Sequence, residues 1–199
     1  VKSSKGIFEY RNNVASSLTQ QFLYITNIGS QPIISDNVFQ NSHVHNVYFL
    51  NFLHSLNRIT LENNTFSNCI ASTDNNVKLY GGAISLWIQK TGYTQGEIIF
   101  DQCKFYENEN QHQSGIYAQG GAFQIGYTSS VANVSVEFNE CEFKRNKCTY
   151  GKGGALAINI FDDVIISNCT FEDNEADQEG GAIYILGRIQ SNDEQSFDQ

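Results

Sequence analysis

A two-part phrase recurs four times along this chain of 199 residues, and no other feature of the sequence constrains the fold as strongly. The first part ends in Asn or Cys, any residue and Phe, and the second part is Gly-Gly-Ala followed by an apolar residue. The phenylalanines of the four copies are Phe66, Phe105, Phe143 and Phe171, and the matching alanines are Ala83, Ala122, Ala155 and Ala182. Repetition at intervals of about 20–50 residues indicates a repeat architecture, in which each unit buries its apolar face against its neighbours.

The spacing of the copies indicates a short unit with insertions. Phe39 and Phe66 lie 27 residues apart, whereas Phe66 and Phe105 lie 39 apart. The inserted stretches are polar or rich in glycine, which is typical of surface loops. They span residues 72–80, 90–96, 109–119 and 127–133.

Each copy carries two short strands. Before the phenylalanine, apolar residues such as Ile98 and Phe100 alternate with polar ones, and the pattern shifts phase before Cys103, which fits a bend. The second strand follows the glycine pair, which suits a tight corner. A βαβ sheet is disfavoured because no helical stretch separates the strands, and a leucine-rich horseshoe is disfavoured because its repeat carries one strand. We therefore predict an all-β fold, a parallel β-solenoid.

Stacked repeats place equivalent residues in columns, with about 4.8 Å between adjacent strands. The Phe column is Phe66, Phe105, Phe143 and Phe171, the first polar column is Asn64, Cys103, Cys141 and Cys169, and the second polar column is Cys69, Asn108, Asn146 and Asn174. We expect stacked rings, amide hydrogen bonds between coils, and a left-handed backbone at the Asn corners. We interpret all three columns as structural.

The paired motifs resemble the repeat of polymorphic outer-membrane proteins and their protist relatives. Phe-x-x-Asn stands at Phe105–Asn108, Phe143–Asn146 and Phe171–Asn174, each followed by Gly-Gly-Ala, whereas the first copy has Cys69 in place of Asn. The resemblance covers roughly residues 58–186. It implies a right-handed parallel β-helix, pectate-lyase-like in architecture and of about five or six coils, exposed on a cell surface for adhesion or structure, without catalytic residues.

The repeats divide one continuous domain into three parts, namely degenerate N-terminal coils at 1–57, regular repeats at 58–189, and a polar tail or the start of a further coil at 190–199. Pro32–Phe39 aligns with the Phe-column strand, Val47–Leu53 with the Gly-Gly-Ala strand, and Phe22–Ile28 with another rung. Atypical terminal repeats are expected in a solenoid. Since the chain starts at Val1 and contains no Met, we expect a processed product or a part of a longer protein.

The net charge of −9 and the scattered Lys and Arg residues argue against nucleic acid as a partner, which requires basic patches. No apolar run reaches the roughly 18 residues of a membrane span. Three N-glycosylation sequons occur, at Asn63, Asn133 and Asn168. Asn63 and Asn168 share one position beside the first polar column and are expected to face outward. In a secreted eukaryotic protein they would carry N-glycans; the alternative is an unmodified surface Asn.

The five cysteines are an odd number. Adjacent coils bring equivalent Cys residues close, but their parallel Cβ vectors suit a disulfide poorly. We favour free stacked thiols, with one disulfide as the alternative. No zinc-type spacing is present.

Catalytic and metal-binding constellations are weak. Asp162-Asp163 is an adjacent acid pair and fits a turn better than an active site. We interpret the acidic loop as a solvated loop rather than a calcium site. We likewise interpret the histidines as structural residues rather than zinc ligands. The acidic loop contains Glu172, Asp173, Glu175, Asp177 and Glu179, and the histidines are His43, His45, His54 and His112. We predict no enzymatic activity and no cofactor or metal.

The sequence therefore predicts a glycosylated, non-enzymatic structural protein of the extracellular space or cell surface, a scaffold of a surface layer or a head-to-tail fibre. Self-association is expected because the end rungs of a parallel solenoid leave backbone groups unpaired. A surface adhesin is one alternative. A carbohydrate-active β-helix with its active loops outside this segment is the other.

Overall fold

The computed structural model describes residues 9–16, 23–26, 33–42, 47–50, 57–72, 81–88, 94–111, 119–127, 132–159 and 163–186. Within these residues the chain forms strands and no helix. The strands are β1 (Glu9–Arg11), β2 (Val14–Ser16), β3 (Leu23–Thr26), β4 (Ile33–Ser35), β5 (Val38–Ser42), β6 (Val47–Leu50), β7 (Asn57–Glu62), β8 (Thr65–Ala71), β9 (Ile84–Ile88), β10 (Thr94–Asp101), β11 (Lys104–Tyr106), β12 (Glu109–Asn110), β13 (Phe123–Tyr127), β14 (Ala132–Asn139), β15 (Glu142–Lys144), β16 (Lys147–Cys148), β17 (Leu156–Asn159), β18 (Val164–Ser167), β19 (Thr170–Glu172), β20 (Glu175–Ala176) and β21 (Ile183–Leu186).

The strands assemble into three sheets. Sheet 1 has the order β1-β4-β7-β10-β14-β18, and sheet 3 has the order β3-β6-β9-β13-β17-β21. Sheet 2 holds β2, β5 and β8, and then divides, because β8 pairs with β11 through its first half and with β12 through its second. All of these pairings are parallel, so the all-β prediction is confirmed.

The degenerate N-terminal third pairs in register with the regular repeats. Phe39 of β5 lies opposite Phe66 of β8, and β6 lies between β3 and β9 in sheet 3. Three assignments to loops were wrong in part: β10 begins at Thr94, β12 covers Glu109–Asn110, and the stretch 127–133 contains the end of β13 and the start of β14. These residues form hydrogen bonds to neighbouring strands, which polar composition does not reveal.

The core lies between the sheets and is built from stacked aromatic rings. Phe39, Phe66, Phe105 and Phe143 are fully buried, and Phe171 is half-buried. Along this column consecutive ring centroids are 4.8–5.0 Å apart and nearly parallel.

A second aromatic stack, not singled out from the sequence, joins Phe100 and Phe138 at 4.8 Å. Phe123 of sheet 3 contacts both of these rings edge-on, at 5.1 and 5.4 Å. The second stack therefore links sheet 1 to sheet 3 across the core.

Two corners interrupt each coil where sheet 1 passes into sheet 2 and where sheet 2 divides. The first corner has a left-handed residue just before the first polar column, and the second corner has one just before the second polar column. The left-handed residues have φ between 50° and 57° and are Asn12, Asp36, Asn63, Gln102, Glu140 and Asn168 at the first corner, and Asn41, Asn68, Glu107, Arg145 and Asp173 at the second. The expectation that the column asparagines themselves adopt this conformation was wrong, because they point inward and the preceding residue makes the turn.

The glycine pairs allow close approach of successive coils. The first glycine of each pair has φ between 67° and 80°, a conformation that suits glycine. A Cβ at Gly82, Gly121 or Gly154 would collide with the carbonyl oxygen of the glycine pair in the next coil. The motif thus marks where backbones touch.

Candidate functional site

The asparagines of the second polar column form a continuous ladder. The Oδ1 of Asn146 accepts hydrogen bonds from the backbone N–H of Asn108 at 3.1 Å and from its Nδ2 at 3.0 Å. The Nδ2 of Asn146 donates to the carbonyl oxygen of Phe105 at 2.9 Å. Asn174 repeats the same bonds toward Asn146 and Phe143. Each side chain therefore caps the corner of the coil before it.

The cysteines of the first polar column make the same kind of cap with weaker groups. The Sγ of Cys169 accepts from the N–H of Cys141 at 3.4 Å and donates to the carbonyl oxygen of Phe138 at 3.4 Å. Cys141 and Cys103 donate likewise to Phe100 and Leu61 in the coils before them. A thiol is a weak donor and acceptor. It also has a single hydrogen, so unlike the asparagine amide it has no second donor for a bond to the next coil.

Both columns extend further than the sequence motif suggested. Asn13, Asn37 and Asn64 form an asparagine ladder at the first corner, with N–H to Oδ1 distances of 3.0 and 3.1 Å. Ser42 lies opposite Cys69 at the second corner. The constant spacing of five residues between the two corners, as in Asn37 and Ser42, was available in the sequence as a signal.

The thiols are largely enclosed. None of the five cysteines, all of which are among the described residues, is in a disulfide, and four of them are buried, with Cys169 half-buried. The hydrogen bond with Cys103, together with burial, raises the pKa of Cys141, and burial followed by the charge of Asp177 raises the pKa of Cys148 to about 12. Since the thiolate is the nucleophile, the raised pKa values of Cys141 and Cys148 disfavour the reactive form of these two groups at neutral pH.

The sequons lie in different settings. Asn63 and Asn168 are exposed at the left-handed turn of the first corner, and the Nδ2 of Asn63 donates to Asp36 at 2.9 Å. Asn133 lies in β14, opposite Gln95 of β10. The structure therefore gives Asn63 and Asn168 one shared geometry and places Asn133 within a strand.

The acidic loop is engaged in ion pairs between coils. Glu172 lies 3.3 Å from Lys144, Glu175 lies 3.3 Å from Lys147, and Glu179 lies 2.8 Å from Lys152. The carboxylate of Asp177 accepts from the N–H of Tyr150. No cluster of three or more His, Cys, Asp or Glu residues that could hold a metal ion occurs among the described residues. Asp162 and the histidines His43, His45, His54 and His112 lie outside them.

A small amide cluster lies beside sheet 3. The Oε1 of Gln119 accepts from the side-chain amides of both Gln124 and Asn159. Gln124 is only 2 % exposed, and its Oε1 and the Oδ1 of Asn159 are buried without a hydrogen-bond partner.

The C-terminal edge of the described chain is open on every sheet. The terminal strands β18, β19, β20 and β21 each have one paired neighbour. Burial declines here, since Ile165 and Ile185 are each 49 % exposed and Leu186 is 56 % exposed. As far as the described strands go, this edge presents partly exposed apolar side chains and strands that have a neighbour on one side.

Comparison with known families gives one match. The sequence model of the Chlamydia polymorphic membrane protein repeat matches residues 168–186, which run from Asn168 through β19 and β20 to the end of β21. The chain is thus similar to that repeat over this stretch, and the resemblance proposed from the motifs is confirmed there, but not its pectate-lyase-like part. No curated protein and no solved structure matches the chain. No helix of the described residues is long and apolar enough to cross a membrane.

Proposed function

We propose that this chain is a non-enzymatic structural element of a cell surface, built as a right-handed parallel β-helix of about five or six coils. The carrying observation is that equivalent residues of successive copies lie opposite each other in all three sheets. Parallel strands in one sheet are almost always joined by right-handed connections, in about 98 % of cases. A chain that contributes one strand after another to three parallel sheets therefore winds as a right-handed coil.

A structural role accounts for the side chains that the repeats have in common. The Phe column fills the core, the polar columns cap the corners, and the glycine pairs let coils approach. The thiols are buried or half-buried with raised pKa values where a shift is resolved, and three glutamates of the last coil, Glu172, Glu175 and Glu179, are paired with lysines. These groups serve cohesion between coils, which supports a scaffold over a catalyst.

A surface location is supported by the likeness of residues 168–186 to a repeat of Chlamydia polymorphic membrane proteins. N-glycans at Asn63 and Asn168, and a third at Asn133, are part of the proposal if the source is a secretory eukaryote. The exposed position of the first two asparagines leaves room for a glycan. Intact glycopeptide mass spectrometry of natively sourced protein checks this, and finding all three asparagines bare in a secreted eukaryotic product contradicts it.

Electron microscopy of the native material tests the structural role. We expect rods, filaments or a layer in which the β-helix axis extends by about 4.8 Å for each coil. A soluble, compact particle contradicts the scaffold. Saturable binding of that particle to a cell-surface receptor would instead establish the adhesin, which the repeat likeness also favours.

A further inference from the structure

A bulky, exposed aromatic residue holds a left-handed backbone conformation in the turn that follows β16. Tyr150 has a φ of 70°, whereas the other non-glycine residues with positive φ in the described part of the chain are Asn, Asp, Gln, Glu or Arg at the two corners. Tyr150 lies at neither corner. A bulky side chain adopts this conformation only where its surroundings impose it, and such outliers cluster at ligand-binding sites.

Two side chains of the following coil impose the conformation. The carboxylate of Asp177 accepts from the N–H of Tyr150 at 3.0 Å, and the Nε2 of Gln178 donates to the carbonyl oxygen of Tyr150 at 3.1 Å. Within the described part of the chain, neither the ring nor the hydroxyl of Tyr150 makes a hydrogen bond or a ring contact. The side chain of Tyr150 is 47 % exposed. The backbone is therefore fixed by both of its polar groups, while the ring is left accessible.

The isolation of this ring favours a small contact over a protein interface. The other exposed large apolar residues of the described chain lie elsewhere, in β2, β18 and β21. A protein interface of standard size covers about 800 Å² on each partner and has an apolar centre. A single ring surrounded by polar side chains instead matches one sugar residue, whose C–H face packs on an aromatic ring.

The charges on either side of the turn favour an uncharged ligand. Lys147 lies 3.3 Å from Glu175, and Lys152 lies 2.8 Å from Glu179. An acidic polysaccharide requires basic groups that are not already neutralised, and a cationic ligand would have to displace a lysine from its glutamate. Hydroxyl groups both donate and accept, so a neutral sugar can bond to carboxylate, ammonium and amide groups without separating these pairs.

We infer that the turn at Tyr150 is a contact site for a neutral polysaccharide. The ring of Tyr150 packs on the C–H face of one sugar residue, and the polar side chains of the following coil, such as Gln178, bond to its hydroxyls. The site binds without cleaving any bond, and it gives the proposed scaffold a point of attachment to surrounding glycans. It goes beyond the proposed structural role, which does not require a ligand.

The experiment uses the 199-residue chain expressed without N-glycans, and three variants. Tyr150→Asn removes the ring and keeps a residue type that adopts the left-handed conformation at Asn41. Tyr150→Phe keeps the ring, and Ile165→Ala is the matched control, since Ile165 is 49 % exposed on sheet 1. Binding is measured on immobilised neutral oligosaccharides of glucose, galactose, mannose and xylose, with oligomers of galacturonate and glucosamine for comparison. Melting temperatures are measured for all four proteins.

We expect wild type to bind at least one neutral oligosaccharide more tightly than either charged series. Tyr150→Asn should weaken this binding by about tenfold or more, whereas Tyr150→Phe and Ile165→Ala stay within about twofold, because a central aromatic ring carries most of such a contact. The melting temperature of Tyr150→Asn should stay within about 2 °C of wild type.

Three binding results overturn the inference, namely no binding of any neutral oligosaccharide, tighter binding of a charged one, or wild-type binding by Tyr150→Asn. A larger fall in the melting temperature of Tyr150→Asn also overturns it, because the ring would then serve stability. These outcomes concern one turn of the molecule, so they are distinct from the outcome of electron microscopy, which tests the structural role.

Discussion

The two corners of each coil solve one hydrogen-bonding problem with different side chains, and they exchange those side chains part-way along the chain. The first corner uses asparagine as far as Asn64 and cysteine from Cys103 onward. The second corner uses Ser42 and Cys69 and then asparagine from Asn108. Every coil from Asn64 onward therefore has one asparagine cap and one thiol cap.

The exchange shows what a corner requires. A cap must be small, must accept from an N–H one coil earlier, and must donate to a carbonyl one coil earlier. Asparagine also links to the next asparagine through its second N–H, and this link weakens at the exchange, where Asn64 Nδ2 lies 4.0 Å from Cys103 Sγ. We therefore expect the asparagine corner to contribute more stability than the thiol corner.

The phenylalanine on the strand between the two corners provides the reference value for these losses of unfolding free energy. Phe143 is fully buried, with its ring 4.8 Å from both Phe105 and Phe171. Phe143→Ala should lower the free energy of unfolding by about 3–5 kcal/mol, because it removes apolar burial and leaves a cavity. Chemical denaturation measures the loss, and Phe171→Ala at the half-buried edge is the control with the smaller effect. A loss under about 1 kcal/mol for Phe143→Ala would mean that the core collapses around the gap.

Removing an asparagine cap should come next. Asn146→Ala leaves the buried N–H of Asn108 and the carbonyl of Phe105 without their partner. With about 1–3 kcal/mol for each buried group left unsatisfied, we expect a loss of about 2–4 kcal/mol in equilibrium unfolding. Asn174→Ala, at the open edge, should cost less, and equal losses at the two positions would show that burial does not matter here.

Exchanging the cap type sharpens the comparison. Asn146→Cys places at the second corner the side chain that the first corner uses in the same coil, at Cys141. Because a thiol can both accept and donate there, we expect it to recover about half of the stability that Asn146→Ala loses. Denaturation of the two variants side by side is the measurement. If the cysteine variant is no more stable than the alanine variant, the two caps are not interchangeable.

Removing a thiol cap should cost less than removing an amide cap. Cys141→Ala deletes the weak bonds from Sγ to the carbonyl oxygens of Phe100 and Asn139, together with its hydrogen bond with Cys103. The expected loss in chemical denaturation is about 1–2 kcal/mol, since bonds of thiols are weaker than those of amides. A loss as large as that of Asn146→Ala would reverse the ranking of the two corners.

The smallest effect is expected at the outer turn of the first corner. Asn168→Gln removes the sequon and keeps a residue type that already makes this turn, since Gln102 has a φ of 52° at the equivalent position. Unfolding stability should change by no more than about 0.5 kcal/mol, as for other exposed sites. In secreted eukaryotic material the same variant should lose one glycan mass, and an unchanged mass would show that Asn168 carries none.

The repeated sequence motif alone determined the strand arrangement and much of the register of this protein. Four copies in one order were enough to predict parallel strands, and they also predicted that Phe105, Phe143 and Phe171 share a column. The reason is that stacked equivalent units place equivalent residues side by side, so sequence alignment becomes spatial register. The exposure of Asn63 and Asn168 could be expected on the same grounds.

Only the tertiary structure decided which atoms meet between coils. The sequence marked Asn146 as a column residue, but it did not show that its amide caps the corner one coil earlier, or that Arg145 makes the left-handed turn. The edge-on contacts of Phe123 with Phe100 and Phe138 were also missed, because alternation within a strand does not show which inward residue meets the third sheet. Such contacts join residues that are 38 or 41 positions apart, and their geometry depends on how each corner turns, which no local pattern encodes.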